Sequence, residues 1–159
     1  MDSPERQEKL KEFFEEIGLT FEHMGVPRMA GKIFGWLLVS DPSEQSASQM
    51  VDVLGASKGS ISTALRILIQ WGLVEKVGFA GERSKFYRMV QHPIDRMMQV
   101  KIMSMKVMRE QMDRGLAIVA DRPEPQKVRL QNMRDGWLFF EQELPKLMQK
   151  FHRQRDGEG

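Results

Sequence analysis

A short predicted helix that begins at Ser57 carries small polar and basic side chains on one face. Ser57 is a favoured N-cap residue, because its hydroxyl oxygen can accept a hydrogen bond from a backbone N–H in the first turn. Short hydroxyl side chains let a helix approach DNA closely, and an arginine can bind guanine O6 and N7 together. Gly59 weakens a helix, and its presence favours close approach to a phosphate or base edge. The candidate DNA-contacting residues here are Ser57, Lys58, Gly59, Ser60, Ser62, Thr63 and Arg66.

Two short helices joined by a tight turn are predicted to hold this face on the outside. Ala47–Leu54 forms the first helix, and Gly55 follows it where a backbone with positive φ is favoured. Apolar residues recur at helical spacing on the opposite side and predict the buried face. The residues expected to point inward are Met50, Val53 and Leu54 in the first helix and Ile61, Leu65, Leu68 and Gly72 in the second.

A predicted strand pair with a basic tip follows directly, over residues 74–90. The segment 80–84 contains a glycine and forms the hairpin tip, where Arg83 is suited to a narrow minor groove that attracts guanidinium groups. Lys85 adds a second basic side chain beside the tip. Taken alone, the hairpin could be an ordinary solvated loop and the polar helix face could contact nothing. Helix, turn, helix and wing in this order indicate double-stranded DNA as the partner.

The charge of the chain is distributed unevenly, although the net charge is only +2. Residues 46–90 contain six basic side chains and three acidic ones, whereas residues 1–45 contain five basic and nine acidic ones. A surface that binds phosphates needs a local excess of positive charge more than a high overall charge. This distribution supports the central segment as the nucleic-acid-binding part.

Amphipathic helices flank the central segment on both sides. One apolar stripe marks a first helix, with Leu10, Phe13, Phe14, Ile17, Phe21 and Met24. A second, strongly apolar helix is expected over 28–40. A methionine-rich helix follows over 93–120, and Pro123 and Pro125 interrupt it. The last helix, which Pro145 is expected to kink, has a heptad seam of Leu130, Met133, Trp137, Phe140, Leu144, Leu147 and Phe151.

These elements predict a mainly α protein with a small β wing. The expected architecture is a winged helix-turn-helix with long N- and C-terminal dimerisation helices. Residues 1–45 would form the N-terminal packing and dimerisation helices, 46–90 the DNA-binding domain, and 91–159 the C-terminal dimerisation region. The flanking helices carry more apolar surface than one small domain can easily cover, so a homodimer is expected.

Three segments resemble the MarR-type transcriptional regulators, and more closely their GbsR-like branch. Residues 25–38 are similar to the second helix of that branch, 57–62 to the start of its recognition helix, and 81–87 to its wing. Ala80 stands where the wing of that branch would have proline. The resemblance implies a dimeric repressor or activator of the bacterial or archaeal type. We therefore expect a repressor that binds an inverted-repeat operator as a homodimer.

A small-molecule effector is a further hypothesis. The chain has 13 methionines, and several cluster on the helix after the wing, where adaptable packing suits an element with two arrangements. Some members of the GbsR-like branch are linked to choline or compatible-solute metabolism, and aromatic faces attract a quaternary ammonium group. Plain core packing is the alternative role of the candidate ligand-binding residues Phe21, Phe34, Trp36, Trp137 and Phe140.

The remaining composition argues against other classes of protein. The chain has no cysteine, its three histidines are far apart, and no metal-ligand or nucleophile motif is present, so we expect no enzyme, metal site or cofactor. No apolar run is long enough to span a membrane, and the N-terminus lacks a signal-peptide core, which favours a cytoplasmic protein. Two alternatives remain: a protein-interaction adaptor that kept the winged helix without DNA binding, and a winged-helix metal sensor, which the absence of cysteine disfavours.

Overall fold

A computed structural model describes residues 4–82, 84–155 and 157 of the 159-residue chain. The described part is mostly helical, with one small sheet, which confirms the predicted fold class. Between residues 96 and 97 the chain divides into two compact units. The elements in chain order are α1 (Pro4–His23), α2 (Arg28–Val39), β1 (Gln45–Ser46), α3 (Ala47–Leu54), α4 (Lys58–Gln70), β2 (Val74–Val77), β3 (Phe86–Met89), α5 (Pro93–Ile118) and α6 (Glu124–Arg155).

The core of the first unit forms where α2, α3 and α4 meet. Its largest fully buried side chains are Ile33, Met50, Ile61 and Leu68. The predicted inward face of α4 is confirmed, because Ile61, Leu65 and Leu68 are all buried, as is Gly72 beyond the helix. Removal of this apolar surface from water is the main favourable contribution to folding. The core therefore holds α4 by one side and leaves the other side free.

Helices α1 and α2 cross closely, and glycines make the crossing possible. A Cβ placed on Gly31 would lie 2.6 Å from the carbonyl oxygen of Ile17 and 2.8 Å from Gly18 Cα. Glu15 of α1 accepts hydrogen bonds from Lys32 at 2.5 Å and from Arg28 at 2.7 Å. The hydrogen bond from Lys32 lowers the pKa of Glu15 against the opposing effect of burial. The segment around Gly31 therefore has a packing role.

A three-stranded antiparallel sheet joins the wing to the start of α3. The strand order is β1-β3-β2, with Gln45 opposite Tyr87 and Ser46 opposite Phe86. Sequence patterning did not predict β1, because a two-residue strand has no periodicity. Ser46 also caps α3, accepting a hydrogen bond from the Gln49 N–H while the Gln49 side chain accepts one from the Ser46 N–H. The sheet thus connects the wing to the first helix of the helix-turn-helix.

Four predicted placements were wrong in detail. Met24 lies beyond the end of α1 and is 65% exposed, because the chain turns there toward Gly25, whose φ is +77°. Val53 is 41% exposed, since α3 buries only the narrow face of Met50 and Leu54. Phe79 and Lys85 lie outside the strands, in the loop between β2 and β3.

The second unit contains most of α5 and the whole of α6. The break predicted at Pro123 and Pro125 is confirmed, because α5 ends at Ile118 and α6 begins at Glu124. Arg109 of α5 donates hydrogen bonds to Glu141 of α6 at 2.7 Å and to Asp113 at 2.8 Å. Neither helix contains a buried residue. α6 continues through Pro145, and the kink expected there stays a prediction.

Candidate nucleic-acid interface

The first turn of α4 is organised by Ser57. The Ser60 N–H donates a hydrogen bond to Ser57 Oγ at 3.1 Å, which confirms the predicted N-cap. Gly55, just before it, has a φ of +60° and ends α3 in the left-handed conformation, also as predicted. These two features place the start of α4 directly after a tight turn. Ser57 therefore positions the helix, while its hydroxyl hydrogen can still donate to a partner.

The side of α4 that faces away from the core has the predicted polar character. Arg66 and Lys58 form no ion pair with the residues that the structure describes. The helix contains no acidic residue, so nothing on it neutralises these two cations. The structure exposes every candidate residue of this helix, namely Ser57, Lys58, Gly59, Ser60, Ser62, Thr63 and Arg66.

Gly59 has no packing role in the single chain. An added Cβ at Gly59 would have Ser57 Oγ at 3.9 Å as its one neighbour within 4 Å in the described residues, which is ordinary contact. A glycine inside a helix costs about 0.5–1 kcal/mol relative to alanine. The fold therefore gives no reason for a glycine at this position. Contact with a partner outside the chain would supply one.

The wing is the second basic feature next to α4. Lys85 is exposed at the end of the tip, and the predicted Arg83 lies outside the described residues. The Glu82 N–H donates a hydrogen bond to the Phe79 carbonyl at 3.1 Å, and the Phe79 and Phe86 rings lie 5.1 Å apart, edge to face. These contacts close the hairpin below its tip.

Arg88, which contributes to the basic charge of the central segment, is neutralised by two acids. Its Nε donates to Glu75 at 2.8 Å and its Nη1 to Glu44 at 3.0 Å. The hydrogen bond to Glu75, and then the one to Glu44, raises the pKa of Arg88. Sequence reasoning missed this network because Glu44 is 44 residues away in the chain. The only local signal was the pairing of a glutamate and an arginine on adjacent strands.

Comparison with known proteins decides the family. The MmpR5-like MarR family transcriptional regulator model matches residues 92–154. The HTH-type transcriptional regulator MmpR5 of Mycobacterium tuberculosis is 35% identical over 149 residues, which cover 94% of this chain and 90% of that protein. The chain belongs to the MarR family. A crystal structure of a transcriptional regulator is 33% identical and superposes with a TM-score of 0.85 over 91% of this chain and 99% of that one.

Membership of the MarR family makes this chain a DNA-binding transcriptional regulator with a winged helix. The relatives named above are described as transcriptional regulators and not as enzymes. The family model falls on α5 and α6, whereas the candidate DNA-contacting residues lie on α4 and in the wing. The relative and the solved structure extend the likeness over both parts of this MarR-family chain.

The aromatic residues considered for a ligand lie in different places. The Phe21 ring lies 5.6 Å from Phe34 and 5.9 Å from Trp71, and Phe21 is buried, so this group contributes to the core of the first unit. Trp36 packs edge to face on Phe14 instead, at 5.7 Å. Trp137 and Phe140 lie on α6, in the second unit.

Trp36 and Phe14 line a cavity of about 370 Å³ between α1, α2 and α3. The indole N–H of Trp36 is buried and has no hydrogen-bond partner among the described residues. A volume of this size is within the range of small-molecule sites. The cavity surface is mostly apolar, and its lining residues are Gln7, Leu10, Lys11, Phe14, Trp36, Asp52 and Val53.

Neither a metal site nor a membrane-spanning helix occurs in the part of the chain that the structure describes. Within it, no group of three or more histidine, cysteine, aspartate or glutamate side chains is arranged to hold a metal ion. No helix among the same residues is long and apolar enough to cross a membrane.

Proposed function

We propose that this MarR-family chain is a repressor that binds an inverted-repeat operator as a homodimer and is released by a small molecule. The observation that carries the proposal is the exposed, acid-free face of α4, held in place by a buried core on its other side. Each copy of α4 would enter one major groove of the duplex. A regulator of this kind acts in the cytoplasm, where chromosomal DNA lies.

Base recognition is assigned to α4. Arg66 is exposed and unpaired within the described residues, so its guanidinium group can bind the O6 and N7 atoms of a guanine. The first turn brings backbone and hydroxyl groups near the duplex. The proposed contacts to bases or phosphates from this helix are Ser57, Lys58, Gly59, Ser60, Ser62, Thr63 and Arg66.

The wing would contact the flanking DNA. Arg83 is proposed to enter the minor groove, on the grounds of its place in the sequence at the hairpin tip, and Lys85 to bind a phosphate. Phosphate contacts set orientation and affinity but do not by themselves read the sequence. We therefore expect changes at Lys85 to weaken binding to all duplexes alike.

The exposed apolar surface of α5 and α6 supports the homodimer. Phe139 and Leu147 are each 59% exposed, and Phe140 is 48% exposed. A helix pair that buries none of its residues lacks the core that a stable unit needs. A second copy can cover such a surface through a two-fold axis, along the heptad seam of α6. In the apolar stripe of α1, Phe14 and Phe21 are buried within the chain, and the exposed Phe13 is left for such a contact. The division into segments 1–45, 46–90 and 91–159 stays a prediction with this arrangement.

A cavity of the first unit is the proposed effector site. The cavity beside Trp36 can hold a small molecule, and the unpartnered indole N–H could donate a hydrogen bond to it. A quaternary ammonium compound or a compatible solute is the ligand class to test first. The other predicted ligand contacts, Phe21, Phe34, Trp137 and Phe140, do not line this cavity and stay predictions. The closer resemblance to the GbsR-like branch also stays a prediction, since the matching family model is the MmpR5-like one.

The adaptor alternative lacks a supporting observation. An adaptor that had lost DNA binding would carry acids or bulky apolar groups on the outer face of its recognition helix. Here that face has Ser60, Thr63 and Arg66, all exposed.

Sequencing the genomic fragments that the purified protein retains tests the proposal as a whole. The expected result is a small set of fragments that share an inverted repeat with half-sites one helical turn apart. Retention of fragments without a common sequence would contradict a specific regulator. Calorimetry with choline, glycine betaine and ectoine, repeated on Trp36→Ala, tests the effector. Heat from one ligand, lost in the variant, is expected, and no heat with any of them would remove this ligand class.

A further inference from the structure

The register of the wing strands sorts the side chains of the hairpin onto two faces. Glu75 of β2 lies opposite Arg88 of β3, and Lys76 lies opposite Tyr87. Successive side chains of a strand point to opposite faces, and directly opposed residues share a face. Glu75 and Arg88 therefore belong to one face of the hairpin, and Lys76 and Tyr87 to the other.

On the face with Arg88, the positive charge is fully compensated by neighbouring carboxylates. The guanidinium group of Arg88 donates to Glu75 at 2.8 Å and to Glu44 at 3.0 Å, so two carboxylates surround one cation. Ser43 also donates a hydrogen bond to Glu44, at 2.8 Å. This face ties the wing to the segment before α3, and its local charge is negative.

The opposite face has positive charge with no acid to balance it. Lys85 lies immediately before β3 and two residues ahead of Tyr87, so continuing the alternation of the strand by one residue makes it the diagonal neighbour of Lys76 on that face. Both lysines are exposed, and neither forms an ion pair with a residue that the structure describes. The neighbouring Lys85 side chain, which has the same charge, lowers the pKa of Lys76. The two ammonium groups are thus close together.

We propose that the face formed by Lys76, Tyr87 and Lys85 is the phosphate-binding surface of the wing and that Lys76 is an additional DNA-contacting residue. The inference rests on the proposed function. Two adjacent, uncompensated lysines repel each other in the free protein, and a DNA phosphate between them would relieve the repulsion. The Tyr87 hydroxyl can donate to the same phosphate backbone. Arg88 makes no such contact, although in the sequence it belongs to the same basic segment.

The salt dependence of DNA binding tests this assignment. Each phosphate contact contributes about 0.9 to the slope of log K against log salt concentration. We expect Lys76→Gln to reduce the magnitude of that slope by about one, and Lys76→Gln with Lys85→Gln by about two. Lys146→Gln, which removes an exposed lysine of α6 paired with Glu143, is the matched control and should leave the slope unchanged.

Arg88→Gln separates the two faces of the hairpin. It removes the same charge from the same strand pair, and we expect it to leave the slope at the wild-type value. An unchanged slope in Lys76→Gln, or an equal reduction in Arg88→Gln, would overturn the inference. If Arg66→Ala still relaxed base preference in that case, the proposed function would stand while the wing assignment failed. A wild-type protein that binds no duplex at all would instead remove the proposed function itself.

Discussion

The two compact units of this protein bury their apolar side chains to very different degrees. The first unit buries Ile33, Met50, Ile61 and Leu68 completely, and these residues come from three different helices, α2, α3 and α4. In the second unit, neither α5 nor α6 buries a residue, and Phe139 and Leu147 are more than half exposed.

The difference indicates that the two units are stabilised by different means. The first unit has its own core, which is what a rigid platform for a DNA-reading helix requires. The second unit is held within one chain by the Arg109 network and by the close approach of Gly115 and Leu130. Ion pairs of this kind add little stability when they are solvated. Under the proposed function, a second copy supplies the missing burial.

The largest effect is expected from truncating the seam of α6. Phe140→Ala combined with Leu147→Ala should shift the protein from dimer to monomer or aggregate, because truncating large apolar residues in a packed core costs about 2–5 kcal/mol each. Light scattering at micromolar concentration measures the change. Lys146→Ala is the control, since Lys146 is an exposed residue of the same helix that lies outside the seam. A folded wild-type monomer would show that the second unit needs no partner.

Gly31→Ala should be the next largest change and affects the first unit alone. The new methyl group would lie 2.6 Å from the Ile17 carbonyl oxygen, so α1 and α2 must separate. Overpacking of this kind costs about 1–3 kcal/mol, and a urea titration should show the midpoint moving down. Gly136→Ala in α6 has open space in the single chain and should be neutral or stabilising. A neutral Gly31→Ala would contradict the close crossing.

Gly59→Ala should change stability and function in opposite directions. Removing a glycine from an open helix position should raise the free energy of unfolding by about 0.5–1 kcal/mol. The same methyl group would obstruct the proposed approach of α4 to DNA and weaken operator binding. Thermal unfolding and a binding titration on one preparation measure both. Unchanged DNA affinity would mean that α4 does not approach DNA at its first turn.

The smallest effect concerns the dependence of stability on pH. The pKa of Glu15 is lowered from its ordinary value of 4.5, chiefly by the hydrogen bond from Lys32. A carboxylate with a lowered pKa adds stability that is present above its unfolded pKa and is lost as pH falls through its folded pKa. Glu15→Gln should therefore be less stable at neutral pH and approach the wild type in acid. Glu16→Gln, on the exposed side of α1, is the control, and parallel pH profiles for all three proteins would argue against the ion pair.

Local signals in the sequence predicted the helix-turn-helix well. The N-cap Ser57, the left-handed Gly55 and the inward face of α4 each depend on neighbouring residues, and the structure confirms them. Features that depend on distant residues were not predictable in this way. The partners of Arg88 and the pairing of Gln45 with Tyr87 appear only when the wing folds back on the start of α3. The faces of the wing likewise required the register of β2 and β3.

An electrophoretic mobility-shift titration of an operator duplex with wild type and Arg66→Ala tests the central claim most directly. The account predicts a loss of about 1–3 kcal/mol for Arg66→Ala, with relaxed preference at one base pair. Combining it with Arg83→Ala should weaken binding further. Operator affinity and base preference that stay at the wild-type values in the double variant would contradict recognition through α4 and the wing.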